Sequence, residues 1–135
     1  MNMSRHFAPL GLLLLILLSC NDETALNPLE CRIHTFARKN TRESVAVTYE
    51  LRASGEYLLN RWYYYGPQGR VSVENPQPPL IVTVTLGPND SIYAGARGRV
   101  TEGSLRVSYR AIAADTLFEA ADLCTQNLNA TPILP

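Results

Sequence analysis

Apolar and polar residues alternate along most of the chain after residue 44, and a period of two is typical of β-strands with one buried face. The alternation is clearest in residues 44–52 and 104–113. Segments rich in glycine, proline and asparagine interrupt it and predict turns. The predicted strands are residues 32–37, 44–52, 57–65, 70–74, 80–86, 91–96, 104–113 and 116–124, the last of which also permits a helix.

The interruptions define the expected architecture. Residues 53–56 predict a turn, residues 75–79 carry three prolines and predict a link outside the strands, and residues 95–103 predict a loop rich in glycine and arginine. No amphipathic helix pattern occurs. We therefore expect an all-β fold, a single antiparallel Ig-like β-sandwich of about seven strands over residues 31–124, followed by a loose C-terminal tail over residues 125–135.

The N-terminus has the pattern of a bacterial lipoprotein signal. Arg5 precedes an apolar run over residues 10–18, which is too short to span a bilayer. Residues 17–20, Leu-Leu-Ser-Cys, resemble a lipobox. The resemblance implies removal of residues 1–19, acylation of Cys20 (palmitate among the acyl chains) and a lipidated tether over residues 20–30. The alternative is an ordinary secretory signal cut at another bond.

A lipid anchor at Cys20 would place the protein at the cell envelope, on the outer membrane, at its periplasmic or its surface-exposed face. The acidic residues 21–23 that follow resemble the surface-export signals of Bacteroidetes lipoproteins. A solvated tether is the other interpretation, and the sequence favours neither.

Charge and cysteine content limit the kinds of partner and metal site that we expect. Twelve Lys and Arg residues balance twelve Asp and Glu residues, which argues against a nucleic-acid partner. Beside Cys20, the chain contains Cys31 and Cys124, and a cysteine pair in an exported protein predicts a disulfide. Two free thiols, or a bond to a partner, are the alternatives. After the predicted cleavage, His34 is the only histidine that accompanies the pair, so we expect no metal and no cofactor.

The stretch from Val45 to about Ala113 resembles a family pattern. Its segments are Val47–Leu51, the aromatic strand and glycine turn Arg61–Gly69, the proline-bearing link Asn75–Pro79, Val82–Asp90 with its turn, Ile92–Ala96 and Gly103–Tyr109. This order is similar to the Ig-like sandwich of small exported proteins of the MmpS family and of short Bacteroidetes lipoproteins. The resemblance implies the fold and offers no catalytic residues. MmpS proteins are membrane-tethered accessories of lipid transporters, anchored by a helix where this chain has a lipobox.

The aromatic strand supplies the candidate binding residues. Alternation places Trp62 on one face, which we expect to point into the core. It places Arg61, Tyr63 and Tyr65 on the other face, where they would meet solvent or a partner. The alternative is that the tyrosines pack across strands against valines of the hairpin partner.

A second candidate feature is a group of arginines in the later half of the chain. Their guanidinium groups suit lipid phosphate or acidic glycans, while an evenly solvated face paired with Glu102 or Asp115 is the simpler interpretation. The group comprises Arg97, Arg99, Arg106 and Arg110.

No catalytic motif is present, so we expect no enzyme. The first hypothesis is a non-catalytic interaction or accessory module of an envelope membrane complex, bound to a protein partner. The second is a binding module for a small ligand or envelope glycan that uses Arg61, Tyr63 and Tyr65. The third is a purely structural envelope protein, which needs no binding site.

Overall fold

The computed structural model of the chain describes residues 27–38 and 42–127, and in this part of the chain six strands form one antiparallel sheet. No helix long and apolar enough to cross a membrane occurs among these residues. The strands are β1 (Leu29–Arg38), β2 (Val45–Gly66), β3 (Gly69–Glu74), β4 (Leu80–Leu86), β5 (Ser91–Ala113) and β6 (Thr116–Gln126). The predicted all-β antiparallel class is confirmed.

Two strands are much longer than the sequence predicts. β2 has 22 residues and β5 has 23, and they pair with each other along most of their length. The turn predicted at residues 53–56 and the loop predicted at residues 95–103 are therefore wrong, and six strands replace about seven. Gly55 and Gly103 are direct partners with φ of +74° and +142°, so the backbone bends there without ending either strand.

The bend folds the sheet back on itself. The rings of Tyr49 and Tyr64, both on β2, have centroids 5.3 Å apart, whereas a straight strand would place these residues about 50 Å apart. Register shifts between Glu56 and Tyr57, and again near Leu59, add bulges close to the bend. The curled sheet thus encloses its own core.

The bend divides the sheet into two half-sheets. In the first half-sheet, β1 pairs with residues 91–100 of β5, which pair with residues 57–64 of β2, and β3 pairs with residues 61–66 of β2. In the second half-sheet, β6 pairs with residues 103–113 of β5, which lie beside residues 47–55 of β2, and β4 pairs with residues 45–51 of β2. β3 and β4 each pair with β2 alone among the described strands.

A single apolar cluster fills the space between the half-sheets. Its members come from the alternating positions that the sequence pattern assigns to one face. Trp62, predicted to be a core residue, is buried in it. The largest fully buried side chains are Tyr49, Leu51, Leu86, Ile92, Leu105, Val47, Val100 and Val107.

A disulfide between Cys31 and Cys124 closes the curl. It joins β1 to β6, which no backbone ladder connects, and its Cα atoms lie 5.8 Å apart, within the usual range. The cysteines thus lie at bonding distance, as predicted. Next to them, the backbone N–H of His34 donates a hydrogen bond to the carboxylate of Asp122, at 3.0 Å. The strands β1 and β6 are therefore joined by a covalent bond and by a hydrogen bond to a side-chain carboxylate.

The hairpin segments agree with the turn chemistry of the sequence. Residues 67–68 connect β2 to β3, and Gly69 has a φ of +107°. The backbone N–H of Gly87 donates to the carboxylate of Asp90 at 2.7 Å, which stabilises the turn before β5. Residues 116–124 form strand rather than helix, and the strands extend to Leu29 and Gln126 at the two ends.

Candidate functional site

The three binding candidates lie on the outer face of the first half-sheet. Arg61, Tyr63 and Tyr65 alternate with the buried Trp62 along β2. Their β3 partners are Glu74, Ser72 and Arg70, in that order. The predicted face is therefore correct.

The expectation that Tyr63 is partly exposed to solvent or a partner is wrong, because only 7% of its surface is accessible. Its cross-strand partner on β5 is Gly95, and a Cβ added there would lie 2.6 Å from the Tyr63 ring. The guanidinium of Arg70 sits 4.2 Å from the ring centroid, in cation–π geometry. Tyr63 thus lies over Gly95 and beneath Arg70. Val71 and Val73 of β3 pair with Tyr64 and Trp62 and lie on the other face. Tyr63 does pack across strands, as the alternative expected, but against Gly95 and Arg70.

Tyr93 on β5 is the centre of an aromatic surface that the sequence analysis did not identify. Its ring centroid lies 5.6 Å from that of Tyr63 and 5.2 Å from that of Tyr65. On its other side it contacts Phe36, at 6.5 Å, and His34, at 6.2 Å. We call these five residues the aromatic face. The alternation of residues along β5 could have indicated this position, because Tyr93 follows the buried Ile92 and therefore points to the other face of the sheet.

The aromatic face spans three strands and is graded in exposure. Phe36 on β1 is 55% exposed, Tyr65 and Tyr93 are half-buried, and Tyr63 is buried. Burial, followed by the nearby Tyr63 hydroxyl, raises the pKa of Tyr93 to about 12. A tyrosine hydroxyl is neutral at physiological pH even at its ordinary pKa of about 10, and the rise moves the ionisation of Tyr93 further from that pH. The surface offers aromatic area without a titrating charge on its central tyrosine.

Replacing Gly95 with alanine is expected to displace the Tyr63 ring. The new methyl would overlap the ring, and the strand on which it sits is held by β1 and β2, so the tyrosine must move. We expect a loss of about 1 to 3 kcal/mol in the free energy of unfolding, measured by urea denaturation. Gly66→Ala is the matched control, since its Cβ would meet its nearest atom at 3.4 Å. A Gly95→Ala loss no greater than that of the control would contradict this packing.

The arginines predicted as one group are divided between the two half-sheets. Arg97 and Arg99 lie on the first, and Arg106 and Arg110 lie on the second. Arg99 pairs with Glu30 at 2.5 Å, and Arg106 lies 3.9 Å from Glu50. The predicted partners, Glu102 and Asp115, form no ion pair with them within the described residues. These exposed pairs contribute little to stability.

A shallow groove of about 920 Å³ lies on the outer face of the second half-sheet. Its lining includes small side chains such as Ala46, Ser108 and Ala121 and charged residues such as Arg106 and Glu119. No group of three or more His, Cys, Asp or Glu residues positioned to hold a metal ion occurs among the described residues.

Several predictions fall outside the described residues. They include the signal at residues 1–19, the acylated Cys20, the tether as far as residue 26 and the tail from residue 128 onward. No family model, no curated protein and no solved structure matches the chain. The similarity to MmpS proteins and to short Bacteroidetes lipoproteins thus stays a prediction.

Proposed function

We propose that this protein is a lipid-anchored module of the cell envelope that binds a protein partner without catalysis, as an accessory subunit of a membrane complex. In this proposal the curled sheet is an Ig-like sandwich behind a cleaved lipoprotein signal, and Cys20 carries the anchor. β1 begins at Leu29, so a fully extended tether from Cys20 would hold the sheet within about 30 Å of the membrane. The partner would then lie in or near that membrane.

The observation that carries the proposal is the aromatic face. Tyr and Arg are enriched at the centres of protein interfaces. Here Tyr65 contacts Tyr93, which contacts the exposed ring of Phe36, and Arg70 lies over the neighbouring Tyr63. The ring contacts hold these side chains in place before binding. Binding therefore costs little additional side-chain entropy.

The geometry supports a protein partner better than a glycan. A sugar stacks on an open ring face, but Tyr63 lies over Gly95 on one side and under Arg70 on the other. The Nε of Arg61 lies 2.6 Å from a carboxylate oxygen of Glu74, its partner on β3, and Arg61 contacts none of the rings of the aromatic face in the part of the chain that the structure describes. The trio Arg61, Tyr63 and Tyr65 therefore does not form one open platform. The exposed aromatic area lies instead at Phe36, on the neighbouring strand.

Replacing Phe36 and Tyr65 together with alanine tests this proposal. We expect the partner recovered after crosslinking in native cells and affinity purification to fall at least about tenfold, because interface anchors of this type carry much of the binding energy. Ile112→Ala is the control: it removes a side chain that is 64% exposed on the other half-sheet. Near-ultraviolet circular dichroism would show that the variants remain folded.

Undiminished recovery of the partner with the double variant would contradict docking through this face. Recovery of the protein with no protein partner, but with glycan or lipid bound and lost in the double variant, would support the ligand-binding alternative instead.

A further inference from the structure

Three arginines lie side by side on the outer face of the first half-sheet, one row away from the aromatic face. Arg32 on β1 is the direct partner of Arg97 on β5, and Arg97 is the direct partner of Arg61 on β2. Directly opposed residues in neighbouring strands have Cβ atoms about 5 Å apart. We call these three residues the arginine row.

The positive charge of the row is only partly neutralised. Arg61 lies beside Glu74, and the adjacent Glu30 is already paired with Arg99. Within residues 27–38 and 42–127, no ion pair or side-chain hydrogen bond engages Arg32 or Arg97. Like charges directly opposed across strands are destabilising. The sheet thus places two unpaired cations in contact positions at a cost to its own stability.

The row borders a polar groove of about 400 Å³. Asn60 and Asn75 line the same groove, as do Glu30 and Glu74, which are paired with Arg99 and Arg61. The Nε of Arg61 is 2.6 Å from a Glu74 carboxylate oxygen, so this arginine is already ion-paired and lies at the side of the groove.

We propose that this groove binds a phosphate group, held by the guanidinium groups of Arg32 and Arg97 with Arg61 at its side. Guanidinium groups bind phosphate oxygens in bidentate geometry. Two unpaired positive charges match a doubly charged phosphate better than a single carboxylate. The phosphate is either a free anion or the terminal ester of a larger molecule such as a lipid headgroup. This phosphate site does not involve the aromatic face, so the experiments on one proposal do not decide the other.

Calorimetric titration of the full chain with inorganic phosphate, and separately with acetate, tests the site. We expect saturable phosphate binding that is tighter than acetate binding. Arg97→Gln and Arg32→Gln should each weaken it about tenfold or more, because each removes charge-assisted hydrogen bonds. Arg110→Gln is the control: it removes the same charge from the outer face of the second half-sheet, and phosphate binding should be unchanged.

Thermal unfolding separates a ligand site from a structural role. Without phosphate, Arg97→Gln should unfold at the same temperature as the unsubstituted protein or higher, because the substitution removes repulsion between opposed arginines. With phosphate, the unfolding temperature should rise for the unsubstituted protein and for Arg110→Gln, and not for Arg97→Gln.

Titration with glycerol 3-phosphate distinguishes the two sources of the group. Binding at least as tight as that of inorganic phosphate indicates an esterified phosphate, and binding of inorganic phosphate alone indicates the free anion. Absence of saturable phosphate binding would overturn the proposal. Equal weakening by Arg110→Gln, unchanged binding by Arg97→Gln, or acetate binding as tight as phosphate binding would also overturn it.

Discussion

Replacing Cys31 and Cys124 together with alanine is expected to lower the free energy of unfolding by about 4 to 5 kcal/mol on the chain-entropy model. The bond closes a loop between residues 93 positions apart, so it restricts most of the unfolded chain. In the folded state it joins β1 to β6, and each of these strands pairs only with β5 among the described strands. Because a domain of this size is stable by about 5 to 15 kcal/mol, the loss is a large fraction of the total.

Equilibrium unfolding in urea, with and without a thiol reductant, measures this effect. The reductant should reproduce the loss in the unsubstituted protein and have no effect on the double variant. Each single cysteine variant should lose about as much as the double variant, because either one removes the bond. Equal stability of the oxidised and reduced proteins would contradict the role assigned to the disulfide.

Replacing Gly103 with alanine should destabilise the fold by more than about 3 kcal/mol, and Gly103→Val should prevent folding. Gly103 has a φ of +142°, which side chains rarely adopt, and its added Cβ would lie 2.0 Å from the carbonyl oxygen of Ser54. That oxygen belongs to the backbone of β2 and cannot move without disturbing the paired bend at Gly55.

Gly69→Ala is the control that separates backbone conformation from crowding. Gly69 also has a positive φ, +107°, but an added Cβ meets no atom within 4 Å. We expect it to lose about 1 to 2 kcal/mol, measured by the same urea denaturation. If Gly103→Ala and Gly69→Ala lower the free energy of unfolding equally, the close packing of β2 on β5 at the bend is not the reason that glycine is needed at position 103.

Local alternation was sufficient to predict the core positions in residues 45–51 and 105–111 and at Trp62, but not Ala96 and Val100 in the predicted loop. The pattern places Trp62 inside, and the structure buries it among residues from both half-sheets. The cysteine pair was predictable from the number of cysteines and the predicted export signal. Both inferences depend on properties that a residue shares with its immediate neighbours or with the whole chain, and neither needs the long-range pairing.

The strand boundaries predicted at the glycines were wrong because glycine occurs both where strands end and where continuous strands bend. Gly55 and Gly103 predict turns when each is considered alone. Opposite each other in the ladder, they instead allow two continuous strands to fold back. Which outcome occurs depends on the register between residues 48 positions apart in the sequence. A single sequence contains no measure of that register.

The binding candidates were incomplete for a related reason. Tyr63 was placed on the correct face, but its burial depends on Gly95 beneath it and on Arg70 above it, from two other strands. Tyr93 belongs to the aromatic face only because β5 pairs with β2 in this register, which brings its ring next to that of Tyr63. The ion pair of Arg99 with Glu30 joins residues 69 positions apart, whereas the predicted acidic partners were chosen from nearby residues.

Site-specific photocrosslinking in native cells tests the central claim most directly. A photoreactive residue would be incorporated at Phe36 or Tyr65 on the aromatic face, or at Ile112 on the other half-sheet, and the adducts identified by mass spectrometry. We predict that both positions on the aromatic face crosslink to the same dominant envelope protein, and that position 112 does not. Equal crosslinking from position 112, or no protein adduct from either position on the aromatic face, would contradict a protein partner docked on this surface.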